Sequence, residues 1–171
     1  MPLLDRTGLK ADPFTRPDFS SENDPAAAAI IVPLASLEEA LSARMSGQRI
    51  GIDVPNTAVP DDLPTQAGID LIAVAFPKFG DGRGFSIGHA LREQGFTGTL
   101  RVSGALLPDQ FAFALQCGFD EVEIDADRLA RQPIEQWLAA LGDVTLSYQE
   151  ATDGTPSIFA KRAAARKALA E

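Results

Sequence analysis

The sequence predicts an α/β fold with a mainly parallel sheet, and two features support this prediction. From residue 26 to about residue 150, short apolar segments with the length of buried strands alternate with segments of helical periodicity. Glycine and proline separate most of these segments. Repeated strand–helix units imply right-handed crossovers between parallel strands. Their number and spacing fit a doubly wound sheet or an incomplete β/α barrel, and the sequence does not choose between the two.

The individual elements can be placed in chain order from these signals. Strands are predicted at residues 29–32, 49–54, 69–76, 99–103, 121–124 and 144–148. The first helix is predicted to begin at Ser36, because Ser36 and Glu39 form a capping-box pattern, and to end at Gly47. Pro108 suits the first position of a later helix, since its missing N–H costs nothing there. The remaining helices are predicted at residues 85–94, 108–118, 133–141 and from 155 onward.

The chain of 171 residues is expected to form a single folded domain. Its hydrophobic content of 45% and its charged content of 23% are ordinary for a globular protein. Residues 1–25 are rich in proline, aspartate and serine, which predicts an N-terminal arm or hairpin that lies on the body. Residues 26–150 form the predicted α/β domain, and residues 151–171 form a predicted C-terminal basic helix.

Composition also narrows the cellular location and the class of partner. The longest apolar run is far shorter than the roughly 20 residues of a membrane span, and the first residues lack the layout of a signal peptide. The single cysteine, Cys117, cannot form an internal disulfide, and its apolar neighbours indicate an inert buried thiol. We therefore expect a cytoplasmic protein that does not bind a membrane. A net charge of −9 argues against nonspecific binding to nucleic acid.

The loop that follows the third predicted strand is the main candidate for a functional site. It places the carboxylate of Asp81, the guanidinium of Arg83 and the hydroxyl of Ser86 beside a predicted helix start. Open α/β sheets bind ligands outside the carboxyl ends of their strands, and helix N-termini favour anions. The glycines of the loop match no nucleotide-binding motif. A tight loop held by an Asp81–Arg83 interaction explains the same residues without a ligand.

Further candidates come from the next helix and the next strand end. Residues after the predicted strand 99–103 would reach the same sheet edge if the two strands are adjacent, although an aspartate at 109 also simply complements a helix dipole. The only histidine is more readily explained as a surface residue, and no catalytic residue is assigned. The candidate ligand-binding residues are Asp81, Arg83, Gly84, Ser86, Arg92, Ser103, Asp109 and Gln110, with His89 as a weaker candidate.

Several motifs between residues 76 and 120 resemble a bacterial family. The matching elements are Phe76-Pro-x-Phe79-x-Asp81-Gly-Arg-Gly-Phe-Ser86, Leu91-Arg92, Gly98-x-Leu100-Arg101, Asp109-Gln110 and Cys117-Gly118-Phe119-Asp120. This string resembles the family known as domain of unknown function 934, whose members are described as oxidoreductases involved in sulfite reduction. The resemblance implies a role in assimilatory sulfate reduction, beside the sulfite reductase haemoprotein or its electron donor.

Three functions therefore stay open from the sequence. The first is an oxidoreductase or an accessory protein of sulfite reduction, with a small oxyanion bound at residues 80–86 and held by Arg83. The second is a noncatalytic adaptor that docks through the acidic stretch 120–127 or the basic C-terminal helix. The third is a non-redox protein or enzyme that binds a phosphate or carboxylate metabolite. Since redox chemistry usually requires a cofactor, and no cofactor or metal motif is evident, an accessory role is preferred over a self-contained enzyme.

Overall fold

A seven-stranded sheet organises the computed structural model, which describes residues 1–17, 27–65, 68–143 and 156–168. The strands are β1 Leu3–Asp5, β2 Gly8–Lys10, β3 Ala29–Pro33, β4 Arg49–Val54, β5 Leu71–Phe76, β6 Thr99–Gly104 and β7 Glu121–Glu123. The helices are α1 Leu37–Ser42, α2 Arg83–Glu93, α3 Pro108–Gln116, α4 Ala126–Arg131, α5 Ile134–Asp143 and α6 Ile158–Ala168. The strand predicted at 144–148 lies outside the described residues.

The strand order is β2-β1-β7-β6-β5-β4-β3. Strands β3 to β7 are parallel and lie in chain order, whereas β1 is antiparallel to both β7 and β2. The α/β fold with a mainly parallel sheet is therefore confirmed. A doubly wound sheet reverses its strand order at a switch point, but β3 to β7 continue in one direction. The layout is that of a β/α barrel that has stayed open.

The sequential strand order places the connecting helices on one face of the sheet, because right-handed crossovers then always return on the same side. The main apolar core lies on this helix face. There, side chains such as Ile52, Val74 and Val102 pack against apolar residues of α1, α2, α3 and α5. Trp137 of α5 is fully buried in this layer. The helix face thus provides most of the hydrophobic stabilisation, since burial of apolar surface dominates folding free energy.

The opposite face is covered in part by residues 11–17, which we call the strap. Phe14 of the strap packs against four small or aliphatic side chains of β3 and β5, namely Ala29, Ile31, Leu71 and Ala73. Thr15 extends the sheet edge, because its N–H donates to the Ala29 carbonyl (3.1 Å) and its carbonyl accepts from the Ile31 N–H (2.8 Å). We call this side of the sheet the strap face.

Two local predictions differ from the structure. Ser36 makes no capping hydrogen bond through its side chain, and α1 ends at Ser42 rather than at Gly47. A short 3-10 helix at Leu34–Ser36 leads into α1 and gives Ser36 φ −99° and ψ 7°, whereas a capping serine needs an extended backbone. In addition, the helix at Ala126–Arg131 was not predicted.

Candidate functional site

The loop between β5 and α2, residues 77–82, forms one wall of an open groove of about 680 Å³ at the carboxyl edge of the sheet. The groove is lined by Pro77, Lys78, Phe79, Gly80, Asp81, Gly82, Ala105 and Arg128. These residues come from the segments that follow β5, β6 and β7, whose carboxyl ends share this edge because the strands are parallel. β/α barrels, whose sequential strand order this sheet shares, bind their ligands at the carboxyl ends of their strands.

Asp81 has both of its carboxylate oxygens occupied. Oδ1 accepts from Arg83 Nε (2.9 Å), and Oδ2 accepts from Arg83 Nη2 (2.6 Å) and from Asn56 Nδ2 (2.8 Å). The hydrogen bonds from Arg83 hold the pKa of Asp81 well below its usual value. Asn56, which is only 7% exposed, follows β4 at the same edge. The sequence analysis missed it, although its position just after a predicted strand end was a usable signal.

Arg83 is committed to Asp81 and does not line the groove. Its guanidinium makes two hydrogen bonds to that carboxylate while 60% of its side chain stays exposed. The structure thus contains the Asp81–Arg83 interaction that the sequence suggested as the explanation without a ligand. Arg83 therefore balances a negative charge at the rim of the groove instead of pointing its own donors inward.

The cationic side chains that line the groove are Lys78 and Arg128. Arg128, on α4, donates from Nη1 to the Leu106 carbonyl (3.1 Å). Its buried Nε lies 3.5 Å from Asp125 Oδ2 but makes no hydrogen bond within the described residues. Neither cation was a sequence candidate. Arg128 was missed because α4 was not predicted, whereas Lys78 lies in the predicted loop and was not singled out there. The usable signal was Asp125, whose carboxylate caps α4 by accepting from the Arg128 N–H (2.7 Å).

Gln110 is the candidate from the next strand end that reaches this loop. Its Nε2 donates to the Phe79 carbonyl (2.8 Å), and its Oε1 accepts from the Leu107 N–H (3.1 Å). Asp109 is exposed in the first turn of α3. Ser103 does not join them, because it alternates with the buried Val102 and so lies on the strap face, in register with Ala75.

The candidates on α2 are not gathered at the groove. A Cβ at Gly84 would lie 2.4 Å from the Phe76 ring, so this glycine permits close packing of α2 on the sheet. Ser86 is exposed, and His89 is exposed with its Nε2 3.5 Å from Glu93 Oε1. Gly84 thus has a packing explanation, and the two polar residues are surface positions on the helix.

Arg92 lies near the C-terminal end of α2, where its guanidinium hydrogen-bonds to segments that precede β6 and β7 at the amino edge of the sheet. It donates to the carbonyls of Phe96 (2.6 Å), Gly98 (2.8 Å) and Gly118 (2.9 Å), and to Asp120 Oδ2 (2.7 Å). Every one of these acceptors belongs to a loop or strand start. Such a set of bonds holds the backbone, so the structure separates Arg92 from the groove.

A second cluster of charges lies on the strap face, and its two arginines, Arg16 and Arg101, were not among the candidate site residues. Arg101 is 0% exposed, and it donates to both oxygens of Asp12 (2.7 and 2.8 Å) and to Glu121 Oε1 (2.7 Å). Arg16 makes two hydrogen bonds to Glu123 (2.7 and 2.8 Å) and two to Asp53 (2.8 and 3.0 Å). These pairs attach the strap to β4, β6 and β7.

This cluster corrects the interpretation of residues 120–127 as an acidic docking surface. Glu121 and Glu123 are only 3% and 2% exposed and are held in the ion pairs of the strap face. Alternating polar residues in a strand usually mark a solvated face, but here the strap covers that face. Only part of the acidic stretch, such as Asp120 and Asp127, is at the surface.

Two further findings concern metals and membranes. Within residues 1–17, 27–65, 68–143 and 156–168, the structure contains no group of three or more histidine, cysteine, aspartate and glutamate residues that could hold a metal ion. Over the same part of the chain, every helix is too short or too polar to cross a membrane.

The thiol of Cys117 is buried, and burial raises its pKa to about 11.

Comparison with known proteins gives a family. A family model described as a bacterial protein of unknown function (DUF934) matches residues 51–159, which is well over half of the chain. No protein with a curated description matches the sequence. The matched range contains the groove-lining residues and α2, but neither the strap nor the β1–β2 hairpin.

Proposed function

The chain belongs to the DUF934 family of bacterial proteins of unknown function, and we propose that it binds a small anion in the groove and serves sulfite reduction as an accessory protein. The observation that supports an anion is the pair of cationic side chains, Lys78 and Arg128, in the groove lining. The role in sulfite reduction depends on the family resemblance of the sequence motifs.

Local charge explains how an acidic protein could attract an anion here. The whole chain carries a net charge of −9, so an anion needs a local field of opposite sign. Asp81 is the acidic residue in the groove lining, and its charge is balanced by two hydrogen bonds from Arg83. The other charged side chains of the lining, Lys78 and Arg128, are both cationic. Arg83 acts in this proposal as a positioning residue that shields the ligand from Asp81.

Arg128 has donors left for a ligand. Nη1 is held by the Leu106 carbonyl, while Nη2 has no hydrogen-bond partner among the residues that the structure describes. A guanidinium fixed on one side and open on the other suits an oxyanion, because charge-assisted hydrogen bonds to arginine are short and directional. The exposed amine of Lys78 supplies a second, more adaptable positive charge.

Anion binding is tested by calorimetric titration with sodium sulfite and sodium phosphate at constant ionic strength. We expect Arg128→Gln and Lys78→Gln each to weaken binding about tenfold, the effect of one lost charge-assisted hydrogen bond. Arg131→Gln is the matched control, because Arg131 is an exposed arginine of the same helix outside the groove lining. Equal affinity in the wild type and both groove variants would rule out this site.

The accessory role is tested separately, by sulfite turnover of the cognate haemoprotein with its physiological electron donor. We expect the wild-type protein to raise turnover, and the Lys78→Gln and Arg128→Gln variants to lose most of that increase. No change in turnover on addition of the wild-type protein would reject the accessory role, while the titration above would still decide whether the groove binds an anion.

A noncatalytic adaptor is the second candidate, and α6 is the observation that favours it. All residues of α6 from Phe159 onward are exposed, and four of them are basic: Lys161, Arg162, Arg166 and Lys167. Such a helix suits an acidic surface on a partner protein. A variant with glutamine at these four positions should lose co-elution with the haemoprotein, whereas the groove variants should keep it. Co-elution that survives the four changes would reject docking through α6.

A further inference from the structure

We infer that the anion bound in the groove carries a flat aromatic ring and belongs to the class of nucleoside monophosphates. This inference rests on the proposed function, because it assigns the rest of the ligand in the same groove. It depends on three properties of the groove, which are its volume, its apolar lining and one exposed phenylalanine.

The groove is too large for a bare oxyanion. Its volume is about 680 Å³, within the range of about 300–1,000 Å³ that is typical of sites for organic ligands. Sulfite or phosphate has the bulk of a few water molecules, each with a share of about 30 Å³ in the liquid. The charged group therefore takes only a small part of the space, and an organic group can fill the remainder.

The part of the lining that carries no charge is mostly apolar, with Pro77, Phe79 and Ala105 as its main side chains. Phe79 is 59% exposed. Within the described residues its ring makes none of the aromatic contacts found in the core. Its backbone is nevertheless fixed, because its carbonyl accepts from Gln110 Nε2. Because the backbone is already fixed, stacking of a flat ligand on this exposed ring costs only the rotamer freedom of one side chain.

The two ends of a nucleoside monophosphate match this arrangement. The phosphate carries up to two negative charges at neutral pH, which the two cations Lys78 and Arg128 can balance. The base is flat and can stack on the Phe79 ring, as bases do on aromatic side chains. Gly80 follows Phe79 in the loop and also lines the groove, and even an added Cβ there would meet nothing within 4 Å, so the loop presents no obstacle to a ribose at this point.

The test compares adenosine 5′-monophosphate with inorganic phosphate in calorimetric titrations of the full chain. We expect the nucleotide to bind at least about tenfold more tightly than phosphate, the gain from one stacked base. Phe79→Ala should remove that gain, so that the ratio of the nucleotide affinity to the phosphate affinity falls to about one in this variant. Phe113→Ala is the matched control, because this phenylalanine is 51% exposed, contacts Phe85 and does not line the groove.

The outcomes separate this inference from the proposed function. If phosphate binds and the nucleotide binds no more tightly, the inference is wrong and the anion site stands. If the nucleotide binds more tightly but Phe79→Ala keeps the gain, stacking on Phe79 is wrong and the inference fails with it. If neither phosphate, sulfite nor the nucleotide binds, both the inference and the proposed anion site are wrong, and the accessory role is decided by the turnover assay alone.

Discussion

The strap face and the carboxyl edge of the sheet differ in how far their charged side chains are buried and paired. On the strap face, Arg101 is fully buried and its donors are taken by Asp12 and Glu121. At the carboxyl edge, Lys78 is exposed, and Arg128 lies 3.5 Å from Asp125 Oδ2 but keeps donors without hydrogen-bond partners in the described part of the chain. Paired and buried charges specify which segments lie together, whereas open cations are suited to a ligand. We therefore expect charge on the strap face to serve the fold, and in our proposal charge at the edge serves binding.

The largest loss of stability is expected when the arginine of a buried ion pair on the strap face is replaced. Arg101→Met leaves the carboxylates of Asp12 and Glu121 without their guanidinium, and breaking a buried pair in this way costs about 3–5 kcal/mol. We therefore expect a large fall in the urea midpoint. Arg101→Lys keeps the charge but loses the planar fork, so its loss should be smaller.

The matched variant at the carboxyl edge is Arg83→Met. It breaks an ion pair whose arginine is 60% exposed, and solvent screens such pairs strongly. Its urea midpoint should stay close to that of the wild type, while binding of an anion in the groove weakens because Asp81 is no longer balanced. A fall in stability as large as that of Arg101→Met would contradict the comparison.

Packing of α2 on the sheet gives the next largest effect. In Gly84→Ala the new Cβ would lie 2.4 Å from the Phe76 ring. Overpacking of this kind costs about 1–3 kcal/mol, although alanine is the better helix former. Gly80→Ala is the control, because a Cβ at Gly80 meets nothing within 4 Å. Equal thermal midpoints for the two variants would show that Gly84 is not needed for packing, which would restore it as a binding candidate.

Acid should weaken the attachment of the strap by a smaller amount. Burial alone would raise the pKa of Asp12, but the hydrogen bonds from Arg101 and the Phe14 N–H, together with the positive charges of Arg101 and Arg16, outweigh it and lower that pKa below the ordinary value of 3.8. The ionised carboxylate therefore stabilises the folded state above about pH 4, and this contribution disappears as the pH falls through the lowered pKa. Glu121 continues to pair with Arg101, so the loss stays below that of Arg101→Met.

The measurement is the urea midpoint between pH 6 and pH 3, in the wild type and in Asp12→Asn. The wild type should lose stability on acidification more steeply than the variant, whose residue 12 does not titrate. Parallel curves for the two proteins would show that the Asp12–Arg101 pair does not stabilise the fold.

Secondary-structure elements and contacts between near neighbours in the chain could be predicted from the sequence. The strand at Arg49–Val54 was predicted with its observed limits, and α2 was predicted to begin two residues after its observed start at Arg83. The Asp81–Arg83 pair was also foreseen, because its partners are two residues apart. These features need only nearby residues, so apolar periodicity, glycine and proline were sufficient signals.

Long-range pairing could not be predicted in the same way. Asp12 and Arg101 are 89 residues apart, and no local pattern in either segment indicates the other. The same limit hid the groove cation Arg128, which approaches the loop only because β5, β6 and β7 are neighbours in the sheet. The alternation around Glu121 and Glu123 was correctly seen as a strand, but the strap that buries them comes from the other end of the chain.

The smallest effect on stability is expected for the hydrogen bond that joins the groove loop to α3. Gln110→Ala removes the hydrogen bond to the Phe79 carbonyl and the one from the Leu107 N–H, which together should cost no more than about 1 kcal/mol of stability at this partly exposed position. Gln110→Glu retains an acceptor for Leu107 but cannot donate to Phe79. If the loop must be fixed for binding, both variants should weaken nucleotide binding by a similar factor, as measured by titration, although only the alanine variant loses both bonds. A glutamate variant that binds as the wild type does would show that the Phe79 backbone is held without this contact.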